Sequence, residues 1–271
     1  MRPKMQRRVQ RYGWDKAAEH YERFWGEQIA PAQRRLLELA APSEGERVVD
    51  IACGTGLVSL PAAAAVGASG LLIGTDISDV MVATASALAG QRGLRHARFA
   101  QMGAEDLVLP DAGFDVALDA LGLMYVPDPL AAVREMHRVL GPGGRAVACV
   151  WGARASCGWS EIFPIVDARV KTDVCPLFFQ LGTGRTLADL FERAGFRDVV
   201  LERIETRMLY RSAENAIGAA FVGGPVAMAY ARFDRATRIA AHAEYLASIE
   251  PYRDGSGYRI PGEFVVVRAV I

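Results

Sequence analysis

The chain has 271 residues, and its 31 basic and 31 acidic side chains give a formal net charge of zero. This balance gives no electrostatic reason to expect nucleic acid as a partner, and the length suffices for a large α/β domain with a substantial core. The four cysteines, at positions 53, 149, 157 and 175, form no C-x-x-C pair. We therefore expect a reduced, cytoplasmic compartment and no bound metal. The basic stretch at 1–11 predicts a flexible, solvated terminus.

Strands and helices are predicted to alternate along residues 46–151. Strands are expected at 46–52, 70–76, 97–102, 114–121 and 145–151, and helices at 57–66, 78–90 and 129–140. Ser78 or Asp79 is expected to cap the second of these helices and Gly90 to end it, and the GPGG turn at 141–144 is expected to end the third. Five strands alternating with helices predict a doubly wound, mostly parallel α/β sheet that is covered on both faces.

The later residues are predicted to extend this sheet and to cover its edge. A helix and a strand are expected over 186–205, two or three alanine-rich helices over 211–250, and a final strand over 262–270. We expect a single domain over 1–271, with a core at about 27–151, 186–209 and 262–271. Cap and substrate segments are then expected at about 1–26, 152–185 and 210–261.

Residues 51–75 contain no charged side chain and are long enough to cross a bilayer. They also contain Pro61 and several glycines, with a turn at each end. A strand, a glycine turn, a short buried helix and a second strand explain this pattern better than a membrane span. We therefore expect no contact with a membrane.

The turn in VVDIACGTGL, residues 48–57, follows the first strand. A dinucleotide fingerprint would need a third glycine where Ser59 stands, and a triphosphate loop would need a lysine, which is absent between Lys16 and Lys171. Both phosphate interpretations are thereby excluded. Two acids remain, Asp50 and Asp76, each at the end of a predicted strand. A carboxylate at the position of Asp76 can accept both hydroxyls of a ribose that lies across the sheet's carboxyl ends.

Five segments, in this order and spacing, resemble the class I S-adenosylmethionine-dependent methyltransferases. They are VVDIACGTG, GTDISDVMV, GAEDLVLPDAGFDVA, LGLMYVPDP and REMHRVLGPGGRAVACVW, within residues 10–209. The chain looks most similar to the small-molecule branch related to the quinone-biosynthesis methyltransferases. The resemblance implies a Rossmann-like, seven-stranded sheet with an antiparallel last strand and a helical cap. It also implies S-adenosylmethionine as cofactor and S-adenosylhomocysteine as product.

The resemblance also assigns roles to residues of the cofactor site. Asp50 would face the methionine ammonium, Asp76 would bind the ribose hydroxyls, and Ile77 would pack on the adenine. The whole implied set is Asp50, Ala52, Gly54, Gly56, Asp76, Ile77, Met81, Gly103, Ala104, Glu105 and Leu121. Gly103 stands where relatives commonly have aspartate, which leaves the Ala104 N–H and the Glu105 carboxylate for the adenine edge. Structural alternatives remain open: Asp50 could cap the turn, Asp76 could cap the next helix, and Met81 could fill the core.

The expected function is methyl transfer to an oxygen, nitrogen or carbon atom of a small apolar or aromatic metabolite. A general base is needed only if the acceptor is a protonated oxygen or an unactivated carbon. His20 and His242 are the candidates, because they lie in segments with which relatives close the pocket. Tyr21, Trp25, Tyr125 and Trp151 are expected to line the substrate pocket, although most of the aromatic residues nearby could be ordinary core.

Two other functions stay open at this stage. Methylation of arsenite or another soft thiophile would need three converging thiolates, which Cys149, Cys157 and Cys175 could supply. A non-catalytic protein could also keep the fold and bind the cofactor. The sequence leaves the oligomeric state open, a homodimer included.

Overall fold

The computed structural model describes residues 3–170 and 178–271. Its strands are β1 (Arg47–Ile51), β2 (Leu71–Asp76), β3 (Ala97–Gln101), β4 (Phe114–Ala120), β5 (Leu140–Trp151), β6 (Arg197–Tyr210), β7 (Arg253–Asp254) and β8 (Gly257–Val270). Its α-helices are α1 (Pro3–Ala40), α2 (Ser59–Val66), α3 (Asp79–Gln91), α4 (Pro129–Val139), α5 (Ile162–Asp167), α6 (Thr186–Arg193), α7 (Ala213–Phe221), α8 (Ala227–Tyr230) and α9 (Arg235–Ile249). No helix in these two ranges is long and apolar enough to cross a membrane.

The strands form one sheet in the order β3-β2-β1-β4-β5-β8-β6, with the short β7 paired to β8. The first five strands are parallel, and β8 runs antiparallel to both β5 and β6. Val48 and Val49 of β1 are fully buried, as expected for a parallel strand with helices over both faces of the sheet. The predicted Rossmann-like α/β architecture with an antiparallel last strand is confirmed.

Two predicted helix ends agree with the structure to within one residue, but the glycines expected to end these helices do not do so. Ser78 does cap α3, because its hydroxyl accepts the N–H of Met81 at 3.1 Å, but the helix continues past Gly90 to Gln91. Gly93, whose φ is +69°, follows it and makes the left-handed turn. The GPGG segment does not separate α4 from β5 either, since β5 begins at Leu140 and includes it, with an irregular register against β4.

The amino-terminal segment is helical and not the flexible tail that its basic composition predicts. Long-range polar contacts explain the difference: Arg7 Nε donates to Glu105 at 2.6 Å, and the Gln6 amide donates to the Tyr125 carbonyl at 3.3 Å. Farther along the helix, the Asp15 carboxylate accepts from the Ser78 hydroxyl at 2.6 Å. These contacts place the first turns of α1 over the carboxyl ends of β1, β2 and β4.

Candidate active site

Three neighbouring parallel strands each carry an aspartate at or near the carboxyl end. Asp50 lies on β1, Asp76 ends β2, and Asp119 lies on β4, with exposed fractions of 1%, 7% and 0%. No basic side chain in the described ranges bonds to any of the three. Burying a carboxylate without an opposite charge is costly, and Asp50 and Asp76 line the cleft described below, where a ligand could compensate them.

Asp50 keeps one oxygen free. Its Oδ2 accepts a short hydrogen bond from the Ser59 hydroxyl, while its buried Oδ1 has no hydrogen-bond partner. Burial raises the pKa of Asp50 to about 7, and the nearby Asp119 and Asp76 carboxylates add to the effect. The free oxygen therefore favours a hydrogen-bond donor that carries positive charge.

Asp76 organises the turn between β1 and α2. It accepts the backbone N–H of Gly54 at 2.9 Å through Oδ2 and that of Ser78 at 2.8 Å through Oδ1. Burial raises its pKa to about 6 in spite of these two bonds. The cap of α3 is Ser78 and not Asp76, so the structural alternative for Asp76 was wrong, and Asp76 lies on the wall of the cleft described below.

Asp119 was missed by the sequence interpretation. Its Oδ1 accepts the N–H groups of Gly122 and Leu123, both at 3.0 Å, and its buried Oδ2 has no partner. Burial raises its pKa to about 7. An acid near the end of a strand, the signal that marked Asp50 and Asp76, was also present here.

A cleft of about 950 Å³, part of it open to solvent, lies above this edge of the sheet. It brings together most of the predicted cofactor residues: Asp50, Ala52, Gly54, Asp76, Ile77, Met81, Gly103, Ala104, Glu105 and Leu121. Gly56 is not in the lining; an added Cβ there would lie 3.2 Å from Leu60 and 3.4 Å from Ala85. Glu105 is already engaged, because it accepts from Arg7 Nε at 2.6 Å and from the Asp128 N–H at 2.8 Å.

Small residues keep the floor of the cleft open. Ala52 and Leu121 both have positive φ, +56° and +67°, so strain is held where the chain leaves β1 and β4. Gly122 fits between them and the acid: an added Cβ would lie 2.4 Å from the Ala52 Cβ and 2.6 Å from Asp119 Oδ2. This crowding leaves no room for a side chain at position 122.

Gly122→Ala is expected to lower the melting temperature by several degrees, because overpacking costs about 1–3 kcal/mol. Gly103→Ala is the matched control on the same cleft, since an added Cβ at Gly103 meets nothing within 4 Å. Differential scanning calorimetry of both variants checks this. Equal melting temperatures for the two would contradict the packing described for Gly122.

A smaller aromatic chamber of about 310 Å³, part of it open to solvent, adjoins the cleft. Tyr21, Trp25, Tyr125 and Trp151, the predicted substrate residues, all line it. The other lining residues are Trp14, Ile29, Leu121, Met124, Trp159, Phe178, Gly224 and Pro225. Trp14, Tyr21, Leu121 and Tyr125 line both spaces, so the cleft and the chamber meet at these four side chains.

Three tryptophans form one wall of the chamber. The Trp151 and Trp159 ring centroids are 4.9 Å apart, and Trp25 lies 5.9 Å from the first and 5.6 Å from the second. The indole N–H of Trp25 donates to the Ala219 carbonyl at 3.2 Å, whereas the buried Nε1 of Trp159 has no partner. Nothing in the sequence indicates this difference, because Trp159 lies in a segment without regular periodicity.

The structure does not bring the two candidate histidines to the cleft or the chamber. His20 lies beside Phe24, with ring centroids 6.3 Å apart. His242 pairs with Tyr230, whose hydroxyl is 2.9 Å from its Nε2, and burial lowers the pKa of this histidine. Neither is among the lining residues of the two spaces.

The described cysteines show no sign of a metal or thiophile site. Cys149 and Cys157 are buried, and burial raises the pKa of the Cys157 thiol to about 12. Cys175, the third residue of the thiophile hypothesis, lies outside the described residues. Within 3–170 and 178–271, no three His, Cys, Asp or Glu side chains are grouped to hold a metal ion.

Comparison with known proteins gives consistent matches. Residues 48–144 match the family described as a methyltransferase domain. Aklanonic acid methyltransferase DauC of Streptomyces sp. (strain C5) is 36% identical over 132 residues, which cover 49% of this chain and 60% of that protein. Demethylmenaquinone methyltransferase of Geobacillus kaustophilus is 28% identical over 215 residues, covering 69% of this chain and 87% of that one.

A solved structure agrees on the fold. The YcgJ protein of Bacillus subtilis superposes with a TM-score of 0.62 at 18% identity, over 89% of this chain and 98% of that chain. The fold, the order of the sequence motifs and the matched domain all indicate similarity to methyltransferases. The chain is similar to methyltransferases over residues 48–144, and the relatives that it matches include the demethylmenaquinone and aklanonic acid methyltransferases.

Proposed function

We propose that the chain transfers the methyl group of S-adenosylmethionine to an oxygen, nitrogen or carbon atom of a small, apolar or aromatic metabolite. The observation that carries the proposal is the shared boundary between an acid-lined cleft and an aromatic chamber, at Trp14, Tyr21, Leu121 and Tyr125. A cofactor in the cleft and an acceptor in the chamber would meet at that boundary.

The donor set of the cleft fits S-adenosylmethionine. The buried, unpartnered oxygen of Asp50 suits the methionine ammonium, and Asp76, on the cleft wall, suits the ribose hydroxyls. Ile77 and Met81 would pack on the adenine, with Gly103 and Ala104 at its edge. Glu105 would lie at the same edge of the adenine, held in place by the hydrogen bonds that it accepts from Arg7 Nε and the Asp128 N–H.

When bound, the cofactor supplies a methyl group that its sulfonium has already activated. The chain's own residues then have to orient the acceptor and exclude water, and positioning of this kind can lower a barrier by about 7–11 kcal/mol. The rings of Tyr21 and Tyr125 lie at the boundary, where an aromatic face can stabilise a positive charge.

We expect S-adenosylmethionine and S-adenosylhomocysteine to bind with micromolar dissociation constants in isothermal titration calorimetry. With S-adenosylmethionine present, mass spectrometry of a panel of phenols, quinols and amines should then find a product heavier by one methylene. Absence of binding at micromolar concentrations would remove the basis of the proposal. Binding without any product would favour the non-catalytic alternative.

The thiophile alternative has less support, because Cys149 and Cys157 are buried and burial raises the pKa of both thiols. The chain covers 60% of the length of the aklanonic acid methyltransferase. We therefore do not propose aklanonic acid as the acceptor of this chain. Four expectations stay predictions. They are catalysis by His20 or His242, the single domain over 1–271, the cytoplasmic location and the oligomeric state, a homodimer included.

A further inference from the structure

The strand β6 forms one edge of the sheet and leaves much of its outer side uncovered. It has 14 residues and pairs with β8 alone among the described strands, whereas β3, at the opposite edge, has five residues. An edge strand presents a row of unpaired N–H and C=O groups, and natural proteins shorten, bend, charge or cover such an edge. The sequence of β6 contains no proline. A strand of this length can therefore accept a further strand along its free side.

The hydrogen bonds of Leu209 show which residues of β6 point outwards. The Gln28 side chain of α1 accepts from the Leu209 N–H at 2.8 Å and donates to the Leu209 carbonyl at 2.9 Å, so both groups face away from β8. This direction alternates along an antiparallel strand, and the register of β6 against β8 is unbroken over 200–210. The residues that point outwards together with Leu209 are therefore Leu201, Arg203, Glu205 and Arg207. Within 3–170 and 178–271, no backbone group pairs with the outward N–H and C=O groups of these four.

Two features limit the free part of this edge. At one end, the Gln28 amide occupies the outward groups of Leu209, as a residue of a neighbouring strand would. At the other end, the register against β8 shifts just before Val200, as it does at a β-bulge. The free stretch is thus 200–208, and Ile204 is its midpoint. An identical strand that pairs with the whole stretch in the antiparallel sense places the two-fold axis at this residue.

We propose that β6 pairs with β6 of a second copy of this chain, antiparallel about a two-fold axis at Ile204, so that the two sheets become one. In this register Arg203 faces Glu205 of the second copy, and Glu205 faces Arg203 of the second copy. Opposite charges therefore meet twice across the axis. The Ile204 side chains of the two copies meet at the axis itself. The outward backbone groups form about eight hydrogen bonds between the two strands.

The charges of β6 select the same axis as the limits of the free stretch. Arg203 and Glu205 are both exposed, and an axis moved by one residue would place Arg203 against itself or Glu205 against itself. Like charges directly opposite one another destabilise a strand pair. The position of the Arg203 side chain is fixed within one copy, because it donates to Glu263 at 2.7 Å and to the Gly184 carbonyl at 2.6 Å. The edge therefore favours an identical strand in this register over other strands.

Sedimentation velocity of the full chain is expected to show a dimer at micromolar concentrations. Glu205→Arg places arginine against Arg203 across the axis, and Glu205→Pro removes an outward N–H without breaking a bond to β8. Each variant should raise the dissociation constant of the dimer at least about tenfold. Asp79→Arg makes the same charge change on α3, which packs on β3 at the opposite edge, and should change this constant less than twofold.

Disulfide cross-linking tests the register. In Ile204→Cys the two new thiols face one another across the axis, at a Cα separation of about 4.5 Å that a disulfide can span. In Thr206→Cys each new thiol faces Glu202 of the second copy and lies about 13 Å along the strand from its counterpart. Mild oxidation should therefore yield a covalent dimer of Ile204→Cys on a non-reducing gel, whereas Thr206→Cys and the wild type remain uncross-linked. The wild type also controls for the native cysteines.

Three results would overturn the proposal. They are a wild-type chain that stays monomeric throughout the micromolar range, a dimer whose dissociation constant neither Glu205 variant changes, and cross-linking of Thr206→Cys as readily as Ile204→Cys. Far-UV circular dichroism shows whether each variant is folded. If Glu205→Pro is not, Glu205→Arg and the cross-linking still decide the outcome. None of these measurements uses a cofactor or an acceptor, so the inference is independent of the proposed function.

Discussion

Asp76→Asn is expected to raise the dissociation constant for S-adenosylhomocysteine by about 100-fold, because two hydrogen bonds from ribose hydroxyls to a charged group would be weakened together. The substitution also replaces one of the two oxygens that accept from Gly54 and Ser78, so it loosens the turn on which the cofactor would lie. Isothermal titration calorimetry measures the effect. A change of less than threefold in the dissociation constant would show that Asp76 acts only by accepting the N–H groups of Gly54 and Ser78.

The nearby Asp79→Asn provides the control. Asp79 is in the first turn of α3, is 58% exposed and pairs with Arg11 at 3.4 Å. An exposed pair of this kind contributes little, so its loss should change the affinity less than twofold. A second measurement needs no variant: wild-type protein should bind the 2′-deoxy analogue of S-adenosylhomocysteine at least about tenfold more weakly than the parent compound.

The ligand-free protein is expected to lose stability as the pH rises from about 4 to 7, since Asp119 has a pKa of about 7 when folded and an ordinary value near 3.8 when unfolded. In this window the folded state binds more protons than the unfolded state, so raising the pH favours unfolding, and the effect levels off above pH 7. Asp50, with a folded pKa of about 7, adds in the same direction.

Asp119→Asn should therefore raise the melting temperature at pH 8 by about 3 °C or more and reduce the slope between pH 4 and 7. The asparagine keeps an oxygen that can accept from Gly122 and Leu123 while it removes the buried charge. Asp189→Asn, at a carboxylate that is 56% exposed on α6, is the control and should leave the slope unchanged. If Asp119→Asn melts below wild type at pH 8, the carboxylate is stabilised in a way that the structure does not show.

The sheet and two of the three buried aspartates could be predicted from the sequence. Asp50 and Asp76 stood out because each followed a run of apolar residues and preceded a turn. Asp119 was overlooked although it stands two positions before the end of its predicted strand, 114–121, as Asp50 does in the predicted strand 46–52. The strand ends at Ala120, and the positive φ of Leu121 bends the chain there, a feature that periodicity does not reveal.

The walls of the site were harder to predict, because they depend on contacts between distant parts of the chain. Trp159 packs against Trp25 of α1 and Trp151 at the end of β5, so nothing in its local sequence shows that its N–H would be left unpaired. The basic residues at the start of α1 predict a solvated tail. The carboxylate that orders this segment belongs to Glu105, 98 positions from Arg7, so composition does not reveal it. Composition indicates the local conformational preference of a segment, whereas the surroundings of Trp159 and the ordering of α1 depend on contacts between distant residues.

The single helix α1 covers both ligand spaces. Arg7, Gln10 and Trp14 lie over the cleft, while Trp25 and Ile29 lie over the chamber. A chain that began after residue 26 would thus lose walls of both spaces at once and keep the sheet beneath them. A movement of α1 that admits one ligand also alters the binding site of the other. A ligand that orders α1 reduces the conformational entropy that is lost when the second ligand binds. The two ligands of the proposed reaction would therefore be coupled through one continuous helix, in addition to their contact at the boundary.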